Sequence, residues 1–251
     1  MLILIDPRAR RTDGESVRIA RDVLCAGVRD AKVCLLDRPQ AMMHALARRG
    51  GRRVVIIGDD RALLRAVGVL LSTGGLTRHP LAVVPVGPGP AVALARALGV
   101  PADAVAASRA ALSGAERTVD VLTDDAGGVV LSMLGIPAPE PEAGRRPWWR
   151  SARRADPEER VPAQRLRIEA DGEVLADLDE PVADVSVSAS DGMAHIVVRR
   201  QADAAVTVTA RSVTVSGPGF SYRADSVDCG PAQSRTWQVL PAALRLRVPA
   251  G

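Results

Sequence analysis

The residues Gly58-Asp59-Asp60-Arg61 lie between a strongly apolar run and an amphipathic helical pattern, where α/β proteins commonly bind phosphate. Such a turn usually contains several glycines, because glycine lets the backbone approach the ligand closely. This turn instead carries two carboxylates and a guanidinium. Asp59 would repel a phosphate, and Arg61 could offset that repulsion because guanidinium binds phosphate well. The alternative is structural: Asp60 caps the helix, and the arginines lie on its solvent-facing side.

A second candidate site is a run of five arginines around two adjacent tryptophans in a proline-rich segment. Tryptophan favours the membrane interface and arginine favours anionic headgroups, so the run predicts peripheral contact with an anionic membrane. The alternative is a solvated loop whose tryptophans cover the seam between two domains. One short basic run without a nucleic-acid-reading module argues against a nucleic-acid site. The residues proposed for the contact are Arg145, Arg146, Trp148, Trp149 and Arg150.

Cysteine and histidine usage argues against a transition-metal site. Cys25, Cys34 and Cys229 show no paired spacing, and the three histidines are isolated from them and from carboxylates. We therefore expect reduced thiols and neither zinc nor haem.

Composition and charge describe a protein of 251 residues with formal net charge +4 and a pI of about 9.6. No apolar run reaches the roughly 18 residues of a membrane span, and no basic region precedes the short apolar amino terminus, as a signal peptide would require. We expect a cytoplasmic protein. One lysine among many arginines is typical of a GC-rich bacterial genome.

The first half of the sequence alternates strand and helix patterns, and the second half changes to a period of two. The α/β order predicts a doubly wound parallel sheet over residues 1–135, a nucleotide-binding type of domain. Residues 136–163 form a Pro/Arg-rich linker, and residues 164–251 an antiparallel β-sandwich whose last strands could pack back on the first domain. The main predicted strands are Leu2–Ile5, Lys32–Leu36, Arg53–Ile57 and Leu81–Val86, and the predicted helices are Gly14–Ala26, Pro39–Arg48, Asp60–Ser72 and Pro90–Leu98.

Several local strings, in this order of elements, resemble the bacterial diacylglycerol kinase and sphingoid kinase family of lipid kinases, which is related to NAD kinase. Asp6-Pro7 resembles the family's Asn-Pro, and Ile57–Leu63 lies where the family has Gly-Gly-Asp-Gly-Thr. Val84–Pro90 resembles its second nucleotide loop, and Asp191–Val198 its Asp-Gly turn before a long sandwich strand. The resemblance implies ATP and Mg²⁺ as cofactors and a lipid hydroxyl as the phosphate acceptor.

The resemblance also implies roles for individual residues. Asp60 corresponds to the signature's central aspartate and is the candidate catalytic residue, in contact with Mg²⁺ or the acceptor hydroxyl. Asp191 is the candidate metal ligand. The nucleotide-binding candidates are Asp6, Gly58, Asp59, Arg61, Gly87 and Gly89.

The sequence departs from the family pattern at each part of the expected site. Asp59 and Arg61 replace glycines, and Ala62 replaces a threonine hydroxyl. Pro88 and Pro90 remove two N–H donors from the second loop.

The family's catalytic glutamate, which is thought to take the proton from the lipid hydroxyl, is also missing. Val227 stands at its position. Glu173, in the string Asp171-Gly172-Glu173, is a candidate substitute base.

These departures favour a pseudoenzyme that binds a nucleotide, a lipid or a protein partner. The alternative is an active ATP- and Mg²⁺-dependent lipid kinase. A homodimer is compatible with either hypothesis.

Overall fold

The computed structural model describes residues 1–38, 40–137, 163–200 and 204–250. The chain divides into two compact units. The first comprises Met1–Ser132, Ala189–Gly192 and Val239–Gly251, and the second comprises Met133–Ser188 and Met193–Gln238.

The first unit is built on a parallel sheet. Its strands are β1 (Leu2–Ile5), β2 (Lys32–Leu35), β3 (Val54–Gly58) and β4 (Leu81–Pro85), in the order β2-β1-β3-β4. β1, β3 and β4 are buried along their whole length, because parallel strands inside an α/β unit are covered on both faces. The edge strand β2 is largely exposed.

Helices connect the strands of this sheet, and side chains cap several of them. Asp6 caps α1, and Asp13 caps α2 by accepting from the amide of Ser16. Apolar residues of α4 are buried at intervals of three and four residues, which gives the helix the apolar stripe that its sequence pattern predicts. The helices are α1 (Pro7–Thr12), α2 (Gly14–Ala26), α3 (Ala41–Ala47), α4 (Asp60–Ser72), α5 (Ala93–Ala97) and α6 (Ala104–Ser113), with a 3₁₀ turn at Gly89–Val92 before α5.

Two antiparallel strands, β5 (Ala115–Asp124) and β6 (Val129–Val130), also belong to the first unit. The end of the last strand of the chain pairs with β4 in parallel, with Leu246 opposite Leu81. None of the described helices is both long and apolar enough to cross a bilayer.

The second unit is antiparallel β structure. Asp-Gly pairs form the turns of two hairpins, Asp171-Gly172 within this unit and Asp191-Gly192 at a tip that belongs to the first unit, and all four residues have positive φ, as type I′ turns require. Nine strands contribute to the second unit, and the ends of two of them, β11 from Ala189 and β15 from Val239, belong to the first unit. The nine are β7 (Met133–Ile136), β8 (Gln164–Arg165), β9 (Arg167–Ala170), β10 (Glu173–Ala176), β11 (Pro181–Ser190), β12 (Met193–Arg200), β13 (Val206–Ala210), β14 (Ser212–Ala224) and β15 (Val227–Val248).

The core of the second unit contains one fully buried tryptophan. Trp237 packs edge-on against Tyr222, with ring centroids 5.2 Å apart and an interplanar angle of 84°. Both residues lie on neighbouring strands, since β14 and β15 pair along most of β14.

The predicted fold class, a parallel α/β domain followed by antiparallel β structure, is confirmed. Individual elements differ from the prediction. The sequence patterns gave no sign of α1 or α6, and the predicted helix Pro90–Leu98 is a 3₁₀ turn followed by α5. The last two predicted strands form the single strand β15, in which Ala242 has a φ of 48°. The bend that Leu240–Ala243 predicted is therefore present without a break in the strand.

Candidate functional site

The predicted nucleotide-binding residues of the first unit meet at the carboxyl ends of β1, β3 and β4. The Asp6 amide donates to the carbonyl of Ile57 over 2.9 Å, and the Val86 amide donates to the carbonyl of Gly58 over 2.9 Å. A Cβ atom on Gly87 would lie 3.8 Å from the Cβ of Asp59. The loops after these three strands thus lie side by side, as a doubly wound sheet requires of a ligand-binding edge.

The start of α4 is capped by Asp59 and not by Asp60. Asp59 has extended backbone, and its Oδ1 accepts from the Ala62 amide over 2.9 Å. This is the standard N-cap arrangement, which satisfies an amide that the helix leaves unpaired. Asp59 is partly exposed.

Asp60, the candidate catalytic residue, is only 1% exposed. Its Oδ2 accepts from the amide of Leu94 over 2.9 Å, and its Oδ1 accepts from the amide of Ala95 over 3.0 Å. These amides belong to the first turn of α5, whose N-cap residue Val92 provides no side-chain cap. Asp60 therefore supplies from α4 the cap that α5 lacks, which joins the two loops of the site.

Asp6 is also buried and has partners on two elements. Its Oδ1 accepts from the Arg8 amide over 2.7 Å, and its Oδ2 pairs with the guanidinium of Arg65 on α4. Arg65 is about half exposed, so the ion pair lies at the surface of the site. The sequence patterns did not indicate this pair, although Arg65 lies one helical turn after Arg61 on the same face.

The three glycines of the site serve different structural needs. A Cβ on Gly58 would lie 2.8 Å from the Cβ of Ala62 and 3.1 Å from the Cβ of Asp6, so only glycine fits between them. Gly87 has a φ of 155°, which favours glycine, whereas a Cβ on Gly89 would meet no atom within 4 Å. Gly58 thus permits close packing against Ala62 and Asp6, and Gly89 is the one of these three glycines that has open space beside it.

Comparison with known proteins identifies the family. Residues 1–123 match the diacylglycerol kinase catalytic domain. This part of the chain, the first 123 of its 251 residues, belongs to the diacylglycerol kinase family. No curated protein matches the sequence at a significant level.

Solved structures from Bacillus anthracis str. Sterne share the fold of this chain. A candidate diacylglycerol kinase is 15% identical with a TM-score of 0.75, and the alignment covers 98% of this chain and 96% of the other. A diacylglycerol kinase from the same organism is 17% identical with a TM-score of 0.74 and the same coverage. At these identities the likeness establishes the fold over nearly the whole chain.

Kinases of the diacylglycerol kinase family use ATP and a divalent cation, and the residues of this chain fit that pair poorly. Two of the three carboxylates, Asp6 and Asp60, are buried and hydrogen-bonded within the protein. A hydrated Mg²⁺ ion needs accessible oxygen ligands, which leaves Asp59 alone of the three. Among the described residues, no group of three or more histidine, cysteine or acidic side chains is arranged to hold a metal ion.

Arg61 lies in the first turn of α4, where it is exposed. It has no ion-pair partner in the part of the chain that the structure describes, so its guanidinium is available to an anion. Placed at the amino-terminal end of a helix, such a cation adds to the attraction that the helix itself exerts on negative charge.

The other predicted site residues lie in turns of the sandwich strands. Asp191 is an exposed turn residue, and the next amide, of Gly192, donates to Oδ2 of Asp120 over 2.7 Å. The other oxygen of Asp120 accepts from the amide of Ala242 over 2.6 Å. Within the first unit, Asp120 therefore holds both the hairpin tip and the bend of β15.

Val227, which the sequence resemblance places opposite the family's glutamate, has an apolar side chain. Val227 is the first residue of β15 and pairs with Ala224 across a two-residue turn. Glu173, the candidate substitute, is exposed in the hairpin after Asp171. Asp171 accepts from the amides of Arg211 and Ser212, and these bonds lower its pKa. The Asp171 side chain thus holds this turn in place through backbone amides, which is a structural role for the Asp171-Gly172-Glu173 string.

The predicted membrane-contact residues Arg145, Arg146, Trp148, Trp149 and Arg150 lie outside the described residues.

Proposed function

We propose that this diacylglycerol kinase family member binds its ligand without transferring phosphate. The observation that carries this proposal is the burial of Asp60, both of whose carboxylate oxygens accept backbone amides of α5. A carboxylate in that position holds two loops together and has no free path to a metal ion or a lipid hydroxyl.

The missing donors around Asp60 support the same conclusion. Phosphoryl transfer depends on positioning the nucleotide and on neutralising its charge. Pro88 and Pro90 have no N–H to offer a phosphate, and Ala62 has no hydroxyl. Val227 has no carboxyl group to accept a proton. Phosphate binding and proton acceptance therefore each lack a group that they need, so a substitution that restored one of these groups would not restore the rate of transfer.

The ligand we infer first is a nucleotide, with a lipid or a protein partner as the other candidates. Arg61 presents an unpaired guanidinium at the start of α4, and Gly89 has open space beside it in the adjoining loop. These two features suit an anion at a helix amino terminus. The family's nucleotide and lipid substrates supply the class of ligand.

The competing function is an active ATP- and Mg²⁺-dependent lipid kinase. Asp59 favours it, because this carboxylate is partly exposed and lies next to Gly87. In that case Asp59 would bind the metal, although its Oδ1 already caps α4.

A transfer assay separates the two functions. The purified chain is incubated with γ-labelled ATP, Mg²⁺ and either diacylglycerol or a sphingoid base in mixed micelles, beside an active diacylglycerol kinase. We expect no labelled lipid above the protein-free blank. Labelled lipid whose amount follows the protein concentration would overturn the proposal.

Thermal denaturation with ATP, ADP or NAD tests the nucleotide ligand itself. A ligand at 100 times its dissociation constant stabilises the folded state by about 2.7 kcal/mol, which gives a measurable rise in the melting temperature. We expect a rise that Arg61→Gln reduces and that Arg109→Gln, which removes an exposed charge from α6, leaves unchanged. No shift with any nucleotide at millimolar concentration would leave lipid or protein as the ligand.

A further inference from the structure

A cavity of about 680 Å³ lies beside the edge strand β2 and the helix α3 of the first unit. This volume is within the range of about 300–1,000 Å³ that small-molecule sites occupy. None of the residues discussed above as nucleotide-binding candidates lines it. The cavity is therefore a separate feature of the α/β unit.

Positive charge dominates the wall of this cavity. Five basic side chains line it, together with His44, against the single carboxylate of Asp37. The five are Lys32, Arg38, Arg48, Arg49 and Arg52. Like charges held together repel one another, so a wall of this kind is stabilised when an anion enters it.

Two of the five cations already have partners within the protein. Arg49 donates to the carbonyls of Leu46 and Gly75, and burial lowers its pKa. Arg52 pairs with Asp30 over 3.2 Å, yet its Nε is buried without an acceptor in the part of the chain that the structure describes. A buried donor without a partner is uncommon, and a bound anion would supply one.

The remaining three cations have no ion-pair partner among the described residues. Lys32 begins β2, Arg38 follows the same strand, and Arg48 comes directly after α3, so three separate segments of the chain place a cation at this one cavity. All three are exposed, which keeps them available to a ligand from solution. Lys32 is also the only lysine of the sequence.

From this arrangement we propose that the cavity binds a ligand through a phosphomonoester group. Guanidinium groups match the tetrahedral oxygens of phosphate through paired N–H donors, and lysine adds a compact charge. A phosphomonoester can come from a soluble metabolite or from the headgroup of a lipid such as phosphatidic acid. The cavity residues recognise the group that the two sources share.

Cys34 provides a direct reporter of occupancy, because it alone among the three cysteines lines the cavity. Its alkylation by iodoacetamide is followed by mass spectrometry, with Cys25 and Cys229 as internal controls in the same sample. Glycerol 3-phosphate is the soluble probe, and phosphatidylcholine vesicles with and without phosphatidic acid are the lipid probe. A ligand at twice its dissociation constant protects a fully covered thiol about threefold.

We expect Cys34 to be protected and the control cysteines to react at their original rates. Protection by glycerol 3-phosphate identifies a soluble ligand, and protection only by vesicles containing phosphatidic acid identifies a lipid headgroup. Either result supports the proposal. In Lys32→Gln/Arg48→Gln the dissociation constant should rise at least about tenfold, because two charge-assisted contacts are lost.

A matched variant controls for the loss of net charge. Arg10→Gln/Arg109→Gln removes two exposed arginines outside the cavity, and we expect it to bind as the wild type does. Circular dichroism confirms that both variants are folded. The proposed site would be refuted if neither probe protected Cys34, if all three cysteines were protected equally, or if Lys32→Gln/Arg48→Gln bound as the wild type does.

Discussion

Replacement of Asp60 by alanine should destabilise the α/β unit strongly, because this carboxylate satisfies two amides. The substitution leaves the N–H groups of Leu94 and Ala95 buried without their acceptor. A buried polar group that loses its partner costs about 1–3 kcal/mol, so the two together should lower the free energy of unfolding by about 2–6 kcal/mol. That is a large part of the stability of an ordinary domain, about 5–15 kcal/mol.

The matched control is Asp103→Ala. Asp103 caps α6 through a single bond to the Ala106 amide at an exposed helix start, and loss of such a cap costs about 1 kcal/mol. Urea unfolding followed by circular dichroism at 222 nm measures both variants, since all the described helices lie in the first unit. If Asp60→Ala costs no more than Asp103→Ala, Asp60 does not have the structural role that its contacts indicate.

Two further predictions concern a close contact and a titrating turn. Gly58→Ala places a Cβ atom 2.8 Å from that of Ala62 and should lower the free energy of unfolding of the first unit by about 1–3 kcal/mol in the same urea assay. Gly89→Ala, whose Cβ atom would meet no atom within 4 Å, should have little effect. Equal effects of the two substitutions would contradict the packing role of Gly58. The pKa of Asp171 lies below its ordinary value of 3.8 because the Arg211 and Ser212 amides donate to its carboxylate. The ionised carboxylate therefore stabilises the folded state above pH 3.8, and this stabilisation is lost as the pH falls through the lowered pKa. Melting followed by circular dichroism should therefore show a steeper loss of stability below pH 3.8 for the wild type than for Asp171→Asn, and parallel curves would refute this assignment.

The main elements of the fold could be predicted because their patterns are strong. The apolar runs of β1, β3 and β4 and the apolar stripe of α4 each identify one kind of element. Helix α6 was not predicted because its buried face is made largely of alanine, so the buried and exposed faces differ little in hydrophobicity. Helix α1 has only six residues and one buried side chain, which is too little for a periodic signal.

The candidate site could be located from the sequence but not understood from it. The order of strand, turn and helix predicts that Gly58 and Asp60 follow a buried strand at the sheet edge, and the structural alternative for Asp60 is a cap of its own helix. The sequence does not reveal that Asp59 caps α4 while Asp60 caps α5, because the partners of Asp60 are backbone amides 34 and 35 residues away. Because every residue type except proline has a backbone amide, the type of residue at these positions does not indicate such a partner. The basic cavity has no motif for a similar reason, since its cations come from separate elements.

The rate of phosphate transfer from γ-labelled ATP to diacylglycerol tests the central claim most directly, measured for the wild type beside Asp60→Asn and Asp103→Asn. Asparagine preserves the shape of each side chain, and Asp103→Asn controls for loss of an aspartate at a helix start. Because Asp60 holds α5 and does not take part in transfer, all three proteins should give the rate of the protein-free blank. Transfer by the wild type and by Asp103→Asn that disappears in a folded Asp60→Asn protein would show that Asp60 is catalytic and that this account is wrong.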